Sequence, residues 1–590
     1  MYRAPVQEIA FTLKHVAGLS DVLAEEAHAE IGEDLVAAIL EEAGRFASEQ
    51  IAPLNEVGDR VGAKCTNGEV TMPPGWREAY RAWAEGGWNS LIAAPEFGGQ
   101  GLPMMLQAAA FEMWNSGSMA FAIGPTLTVG AIEALEKHAT PELQETYLPK
   151  LVSGEWMGTM NLTEPQAGSD LNALRARAER ADDGTYRIFG QKIFITYGEH
   201  DFTDNIVHLV LARLPDAPAG TRGISLFVVP KFLVNGDGSL GARNDVRCAG
   251  IEHKLGIHAS PTCTMVYGDE GGAIGWLVGE ENRGLACMFT MMNNARLAVG
   301  IQGLGVAERA TQQALAYALD RRQGRAAGRK DEGMSPIAAH PDIRRTLLSM
   351  QSWTQVARAI CFANAQAIDM ANLSGEADTK THWSERAAML TPIAKALSTD
   401  IGVEVASLGV QVHGGMGYVE ETGAARHLRD ARIAPIYEGT NGIQAIDLVA
   451  RKLPLSGGDH IRGLISELAT VGASARDSGV AELSEAADRL DRALFNLGEA
   501  STWLLEALAD GRQQTALAGA TPFLRLMGIA LGGGLLLKGA VASLGDNSEA
   551  ARHRILLARY FAAAHLPETA SLREQIESAA DAVLSFEPAA

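Results

Sequence analysis

The chain has 590 residues, 47% hydrophobic and 21% charged, which is a globular composition in a chain too long for one ordinary domain. Its formal net charge of −21 disfavours binding to nucleic acids and to anionic membranes, because both repel an acidic surface. Five widely separated cysteines without a CxxC pair indicate neither a disulfide framework nor a metal site.

In chain order, residues 1–32, an N-terminal extension, precede the first long helical pattern, and the apolar spacing that follows predicts an all-helical domain over 33–157. Short runs of β-branched and aromatic residues, such as NIVHLVLARL and GISLFVVP, predict a central β domain over 158–278. Ala-rich helical spacing returns over 279–453 and predicts a helical bundle. A further helical domain is predicted over 454–590, so the expected fold class is α+β, mainly α.

The sequence contains no recognisable secretory signal or membrane-spanning run, as expected of a soluble protein. The opening MYRAPVQEIAFTLKHV lacks the basic and apolar regions of a secretory signal. The most apolar run, from Leu526 to Leu537, is well short of the roughly 20 residues that cross a bilayer. We therefore expect a cytoplasmic protein that does not insert into membranes.

The first segment that carries chemistry is MNLTEPQAGSD, from Met160 to Asp170. Its Thr163, Gly168 and Ser169 supply hydroxyls and closely approaching backbone amides, which suit the rim of a ring or a phosphate. Taken alone, the segment fits a capped loop at a domain junction better than a binding site.

The second segment is KIFITYG, residues 192–198, on a predicted strand. The alternation of a strand sends Phe194 and Thr196 to one face, where a ring and a hydroxyl could meet a flat cofactor. By itself such a pair is also common in a protein core.

The third segment is QVHGGMGYVEETGAARHLRD, residues 411–430, followed by ARIAPIYEGT. Gly414 and Gly415 allow a backbone to lie against an extended ligand. Glu438 stands in an apolar setting, where burial raises a carboxyl pKa towards that of a working base. A glutamate before a glycine also fits a solvated loop.

In their order and contents, the three segments resemble the acyl-CoA dehydrogenase family over roughly residues 80 to 450. The resemblance implies a helical domain, a β domain and a four-helix bundle, with FAD between the last two. It implies α,β-dehydrogenation of an acyl-CoA thioester to a trans-2-enoyl-CoA. The expected partners are an acyl-CoA and, as electron acceptor, an electron-transfer flavoprotein.

The resemblance also implies roles for matching residues. Glu438 would be the catalytic base, and no metal is expected. Arg321 would reach the FAD of a neighbouring subunit, which implies a homo-oligomer, either a dimer or a tetramer. The implied FAD contacts are Met160, Leu162, Thr163, Gly168, Ser169, Phe194, Thr196, Arg321, Gln411, Gly414, Gly415 and Thr440. The implied substrate contacts are Ser169, Asn293, Arg296 and Gly439.

The chain departs from the family pattern in two ways. Gly324 and Gly442 stand where many members carry phenylalanine and glutamine beside FAD, so these two contacts are not expected. Both chain ends are longer than usual, and the opening segment and HPDIRR at 340–345 resemble a long subgroup. That subgroup contains 3-(methylthio)propanoyl-CoA dehydrogenases and broad-specificity fatty acyl-CoA dehydrogenases.

Three alternatives share the expected fold. An acyl-CoA oxidase would pass electrons to oxygen, but EGTNGIQ resembles the dehydrogenase form of the catalytic loop. A nucleic-acid-binding relative is disfavoured because the region after Arg451 holds more acidic than basic residues. An inactive scaffold is disfavoured because Glu438 keeps its neighbours.

Overall fold

The structure is a computed structural model that describes residues 2–328 and 333–588, without the side chains of Met292 and Asn293. Backbone contacts divide it into two compact units. The first comprises Met1–Gly44, Met104–Ser116 and Arg296–Ala590, and the second comprises Arg45–Pro103 and Gly117–Ala295. The five-part division drawn from the sequence stays a prediction, since these units follow backbone contacts and not the boundaries of a domain family.

Helices dominate the chain before the main sheet. They are α1 Val6–Phe11, α2 Leu19–Leu23, α3 Glu33–Phe46, α4 Leu54–Val61, α5 Trp76–Glu85, α6 Met104–His138 and α7 Pro141–Ser153. The expectation that 33–157 is entirely helical was wrong, because a hairpin of β1 (Lys64–Thr66) and β2 (Glu69–Thr71) lies within it. Asn67 and Gly68 both have positive φ, at 53° and 85°, and an Asn-Gly pair is the preferred sequence for such a turn.

The central strands follow, and those predicted from the sequence are confirmed. They are β3 Trp156–Asn161, β4 Arg177–Arg180, β5 Tyr186–Thr196, β6 Asn205–Arg213, β7 Ile224–Pro230, β8 Phe232–Val234, β9 Leu240–Arg243, β10 Val246–Ile251, β11 Thr262–Tyr267 and β12 Ala273–Val278. Eight of the described strands form one sheet in the order β10-β11-β5-β12-β7-β6-β3, with β4 beside β5 and β6. Every residue of β7 is buried, which explains why its sequence is apolar except for Ser225.

The first unit contains the long helices of the bundle, α8 Gly284–Asp320 (from Arg296 onwards), α9 Pro341–Leu373 and α10 Ala377–His413. The short helices α11 Ala424–Ala431 and α12 Asn441–Asp447 follow. The segment between these two short helices contains the IYEGT sequence and Glu438. The bundle therefore presents the predicted catalytic glutamate on a loop that is anchored by a helix at each end.

The C-terminal region is entirely helical in its described part. Its helices are α13 Asp459–Asp477, α14 Ala481–Ala509, α15 Gln513–Ala518, α16 Ala520–Ala542, α17 Glu549–Ala564, α18 Glu568–Ser578 and α19 Ala580–Leu584. The glycines of α16 allow it to pack closely on its neighbours. A Cβ atom at Gly528 would lie 2.5 Å from Leu397 of α10, and one at Gly532 would lie 2.6 Å from Val356 of α9. The added domain is thus seated directly on the bundle.

The N-terminal extension packs on the C-terminal region. Arg554 forms an ion pair with Glu8 at 2.8 Å and stacks on the ring of Phe11. Lys538 donates to the carbonyl oxygen of Val16 at 2.8 Å. The two additions that lengthen the chain therefore stabilise each other.

Two helices, α6 and α16, are long and apolar enough to span a membrane by length and composition alone. However, 89% and 83% of their most apolar windows are buried inside the protein. This is the arrangement of core helices in a soluble protein.

Candidate active site

Glu438 lies in the loop between α11 and α12 in an unusual backbone conformation. Its φ angle is 55° and that of Gly439 is 80°, so two consecutive residues are left-handed. For a residue other than glycine this conformation costs about 1 kcal/mol, and it persists only where the surroundings impose it. Thr440 ends the loop by capping α12, accepting a hydrogen bond from the Ile443 amide at 3.3 Å.

Side chains from beneath the loop hold its carbonyl groups. Lys395 of α10 donates to the carbonyl oxygen of Gly439 at 2.8 Å and to Oδ1 of Asn441 at 2.9 Å. Gln444 donates to the carbonyl oxygen of Glu438 at 3.1 Å. Within the described part of the chain, the backbone amide of Glu438 has no acceptor. The loop therefore has carbonyl groups that are held by hydrogen bonds and, at Glu438, a backbone N–H without an acceptor among the described residues.

The electrostatic environment of Glu438 combines burial with two cations. Its side chain is half-buried, and burial raises the pKa of the carboxyl, while Arg296 and Lys395 oppose that rise. Arg296 is only 8% exposed, and its Nη1 lies 3.7 Å from Oδ2 of Asp447. Burial therefore makes the Glu438 carboxylate a stronger base than an exposed one, and the two cations limit that effect.

Tyr437 precedes Glu438 in the chain and is held by a hydrogen bond. Its hydroxyl donates to Oε1 of Gln302, which is itself buried in α8. Burial raises the pKa of Tyr437 above its usual value, with the Glu438 carboxylate adding to the rise. Tyr437 is therefore a fixed, protonated side chain and not a second acid.

On the second unit, the strand β5 carries the predicted flavin-facing residues. Phe194 is 58% exposed, and Thr196 is half-buried, while the intervening Ile195 is buried. Both side chains therefore reach the surface on either side of a buried residue. Phe194 has a φ of 60° at an irregularity in the pairing of β5 with β11, which turns its ring outwards.

The loop after β3 is tied to β5 by a buried ion pair. Lys192 and Glu164 have side chains 0% and 3% exposed, and their charged atoms lie 2.8 Å apart. Lys192 also donates to the carbonyl oxygen of Leu162 at 3.0 Å. The Glu164 carboxylate in turn accepts from the amides of Arg175 and Ala176. These bonds hold the MNLTEPQAGSD segment in place against β5.

Three hydroxyl groups, two in the loop after β3 and one in β5, are available to bond a ligand. Among the described residues, the side chains of Thr163, Ser169 and Thr196 make no hydrogen bond. Gly168 is exposed, with open space where a Cβ would lie. Exposed aromatic surface together with unbonded hydroxyls and accessible backbone suits a flat, polar-rimmed group such as a flavin.

The predicted adenosine-side residues lie on the first unit at the end of α10. Gln411, Gly414 and Gly415 are all exposed, and a Cβ at either glycine would meet open space. Arg321 is exposed just after α8. Gly324 has a φ of 58°, which favours glycine where many family members carry phenylalanine.

The structure brings together some predicted residues and adds others. Glu438, Gly439, Thr440 and Arg296 lie around one loop, whereas the side chain of Asn293 lies outside the described residues. Met160 is buried at the end of β3. Sequence reasoning missed the supporting residues Lys395, Asn441, Gln444, Asp447, Lys192 and Glu164.

Comparison with known proteins identifies the family. The acyl-CoA dehydrogenase N-terminal, middle and C-terminal domain models match residues 34–155, 159–269 and 282–453, and an acetyl-CoA dehydrogenase C-terminal-like model matches 464–587. The 3-methylmercaptopropionyl-CoA dehydrogenase of Ruegeria pomeroyi is 46% identical over 99% of both chains. The chain belongs to the acyl-CoA dehydrogenase family. It is an FAD-dependent oxidoreductase that dehydrogenates an acyl-CoA, and the resemblance seen in its sequence is confirmed.

Two further similarities extend over the whole acyl-CoA dehydrogenase chain. The broad-specificity linear acyl-CoA dehydrogenase of Mycobacterium tuberculosis is 32% identical over 100% of this chain and 99% of its own. The crystal structure of Caenorhabditis elegans ACDH-11 has a TM-score of 0.77 and 20% identity, covering 100% of this chain and 96% of that one. At that identity the structural similarity shows the fold alone, and it includes the extra C-terminal helical domain.

Proposed function

We propose that Glu438 removes the α-proton of the acyl-CoA thioester. The observation that carries this proposal is the Glu438 loop, in which burial raises the carboxyl pKa while Arg296 and Lys395 oppose the rise. A base whose pKa approaches the working pH transfers protons most efficiently. The left-handed backbone at Glu438 is the kind of strain that accumulates at catalytic positions.

The backbone of Glu438 supplies the second half of the chemistry. Loss of the α-proton places negative charge on the thioester carbonyl oxygen, and a preorganised N–H donor stabilises that charge. The Glu438 amide is such a donor, because no described residue accepts from it while Gln444 holds its carbonyl. One residue thus serves as both base and hydrogen-bond donor. Gly439 lies next to the same thioester carbonyl in this proposal.

FAD, when bound, accepts the β-hydrogen as hydride. We assign its contacts to Met160, Leu162, Thr163, Gly168, Ser169, Phe194, Thr196, Arg321, Gln411, Gly414, Gly415 and Thr440. The unbonded hydroxyls of Thr163, Ser169 and Thr196 support this assignment on the β domain. Arg321, exposed just after α8, is assigned to a neighbouring subunit's cofactor in a homodimer or tetramer.

The proposed substrate is 3-methylmercaptopropionyl-CoA or another short or medium acyl-CoA. The Ruegeria pomeroyi relative bears the former name and is similar over 99% of this chain, including both additions. Ser169, Asn293, Arg296 and Gly439 are the proposed substrate contacts, while Glu438 meets the reacting carbon. A panel of thioesters from propanoyl- to palmitoyl-CoA, with the 3-methylthio compound included, tests this by anaerobic bleaching of the flavin. The proposal predicts the fastest bleaching with the 3-methylthio or a similarly short thioester, and a maximum rate with palmitoyl-CoA would contradict it.

The proposed electron acceptor is an electron-transfer flavoprotein in the cytoplasm. The EGTNGIQ loop, which resembles the dehydrogenase form, favours this acceptor over oxygen. Purified enzyme given substrate in air should therefore produce little hydrogen peroxide and turn over rapidly only when the flavoprotein is added. Stoichiometric peroxide production would instead identify an oxidase.

A further inference from the structure

Lys395 is a lysine whose burial calls for an explanation. Its side chain is 0% exposed within α10, and burying an ammonium group costs several kcal/mol unless it is well compensated. Among the described residues it forms no ion pair, and its bonded partners are the neutral oxygens of Gly439 and Asn441. An apolar side chain would pack there without this cost, so the charge has a use beyond packing.

The bonds of Lys395 act on the backbone of the catalytic loop. Gly439 and Glu438 are the two consecutive left-handed residues, and Lys395 holds the carbonyl of the former. Asn441 extends this support by donating to the Ala396 carbonyl at 3.0 Å and to Asp400 at 2.8 Å. The strained loop is therefore fastened to α10 at the point where the backbone departs most from ordinary geometry.

The charge of Lys395 also acts on the Glu438 side chain. Burial raises the pKa of Glu438, and the only cations that oppose this among the described residues are Arg296 and Lys395. A nearby positive charge favours the ionised carboxylate, which is the form that can accept a proton. The same lysine is thus placed to govern both the geometry and the ionisation of the base.

We propose that Lys395 is a positioning residue of the dehydrogenation, whose ammonium group fixes the Glu438–Gly439 backbone and keeps the Glu438 carboxylate ionised. The inference rests on the proposed role of Glu438 as the base. Lys395 touches neither substrate nor cofactor in this account and acts through the loop.

The ionisation of Lys395 gives the inference a pH signature. Burial lowers the pKa of Lys395 to about 8, with Glu438 and Asp400 opposing the shift and Arg296 adding to it. These three charged groups belong to the loop, to α10 and to α8. Loss of the lysine proton removes both the charge and one donor, so flavin reduction should decline on the alkaline side near that pH.

The test uses the FAD-loaded enzyme with Lys395→Met, which removes charge and donor at similar length, and Lys395→Arg, which keeps both. The rate of flavin reduction by acyl-CoA is measured anaerobically across about pH 6 to 9, together with FAD content and Tm. Lys395→Met should bind FAD but reduce it roughly 10- to 100-fold more slowly, since small misplacements of a base have effects of this size. In a plot of the flavin-reduction rate against pH, the fall on the acidic side (the acidic limb) should move to higher pH. The fall on the alkaline side (the alkaline limb) should disappear.

Lys395→Arg should keep the acidic limb of the wild type, because the charge remains, and should lose the alkaline limb, because a guanidinium does not deprotonate in this range. Lys538→Met is the matched control, since Lys538 also donates to a carbonyl at 2.8 Å but lies in the C-terminal domain. It should leave the rate and both limbs unchanged.

Wild-type rate and limbs in Lys395→Met would overturn the inference, as would an alkaline limb near pH 8 that survives in Lys395→Arg. The second result decides the question even if Lys395→Met does not fold. Glu438→Gln, measured in parallel, distinguishes failure of the inference about Lys395 from failure of the proposed base. If Glu438→Gln is inactive while both Lys395 variants behave as wild type, only the inference fails, whereas an active Glu438→Gln overturns the proposed base and the inference together.

Discussion

The guanidinium of Arg296 lies 3.7 Å from the carboxylate of Asp447, and both side chains are buried. Asp447 also pairs with Arg451, which is 62% exposed at the outer side of the cluster. Burial lowers the pKa of Arg296, while Asp447 and Glu438 stabilise its charge. Asp447 therefore holds in place the cation that acts most strongly to keep Glu438 ionised.

This arrangement predicts the effect of Arg296→Gln on the pH dependence of the reaction. Without the cation, the pKa of Glu438 should rise further, so the acidic limb of flavin reduction should move to higher pH. Arg451→Gln is the control, because it removes the exposed partner of Asp447 and should shift the limb little. An unmoved acidic limb in Arg296→Gln would show that this charge does not reach the base.

The buried pair of Lys192 and Glu164 predicts a loss of stability in Lys192→Met. Removing one partner leaves a buried carboxylate unpaired and should lower the free energy of unfolding by about 3–5 kcal/mol, with weaker FAD retention. The double variant Lys192→Met with Glu164→Gln should recover part of this loss. Denaturant unfolding and FAD content measure both effects.

Lys150→Met serves as the comparison for the buried pair, since Lys150 pairs with Glu155 in solvent, with side chains 40% and 49% exposed. Its cost should stay within about 1 kcal/mol. Equal losses in the two lysine variants would contradict the distinction between buried and exposed pairs.

Asp369 predicts a pH dependence of stability. Burial raises its pKa to about 7, although it accepts hydrogen bonds from the amides of Met104 and Met105 at 2.7 and 3.0 Å. A carboxyl with a raised folded-state pKa contributes stability that is complete below its unfolded pKa of about 4 and is lost as pH rises through about 7. The asparagine of Asp369→Asn does not titrate. Between pH 5 and pH 8 the unfolding free energy of the wild type should therefore fall relative to that of Asp369→Asn. A difference that stays constant over this range would contradict the assignment.

The close approach of α16 to α9 predicts that Gly532→Ala is destabilising. The added methyl would lie 2.6 Å from Val356, and overpacking of this kind costs about 1–3 kcal/mol. Gly463→Ala is the matched control in α13, where nothing lies within 4 Å of the new Cβ. It should raise the unfolding free energy by up to about 1 kcal/mol, because alanine favours a helix. Denaturant midpoints distinguish the two, and a neutral Gly532→Ala would mean that α16 can move away from the bundle.

The strands β5, β6, β7 and β11 and the glutamate loop could be predicted because their signals are local. The alternation around Ile195 and the apolar sequence IAPIYEG lie within a few residues of what they predict. The β1–β2 hairpin also had a local signal, the Asn-Gly pair, which the helical pattern around it obscured. Asn67 and Gly68 could have been found from the sequence.

The supporting residues of the site could not be found in the same way. Lys395 and Gly439 are hydrogen-bonded to each other but are 44 residues apart in the sequence. No periodicity in the sequence indicates that the two are paired. Its one signal is a lysine inside the apolar run PIAKAL, and Lys192 in the run KIFI has the same character. A lysine within an apolar run indicates a buried charge, but its partner becomes known only when the chain is folded.

The measurement that tests the central claim most directly is anaerobic flavin reduction in Glu438→Gln with a bound acyl-CoA. The amide has nearly the same shape and keeps the backbone N–H, but it cannot accept the α-proton. The account predicts that FAD and thioester binding persist while the rate of bleaching falls by about two to four orders of magnitude. Bleaching at the wild-type rate would contradict the assignment of Glu438 as the base.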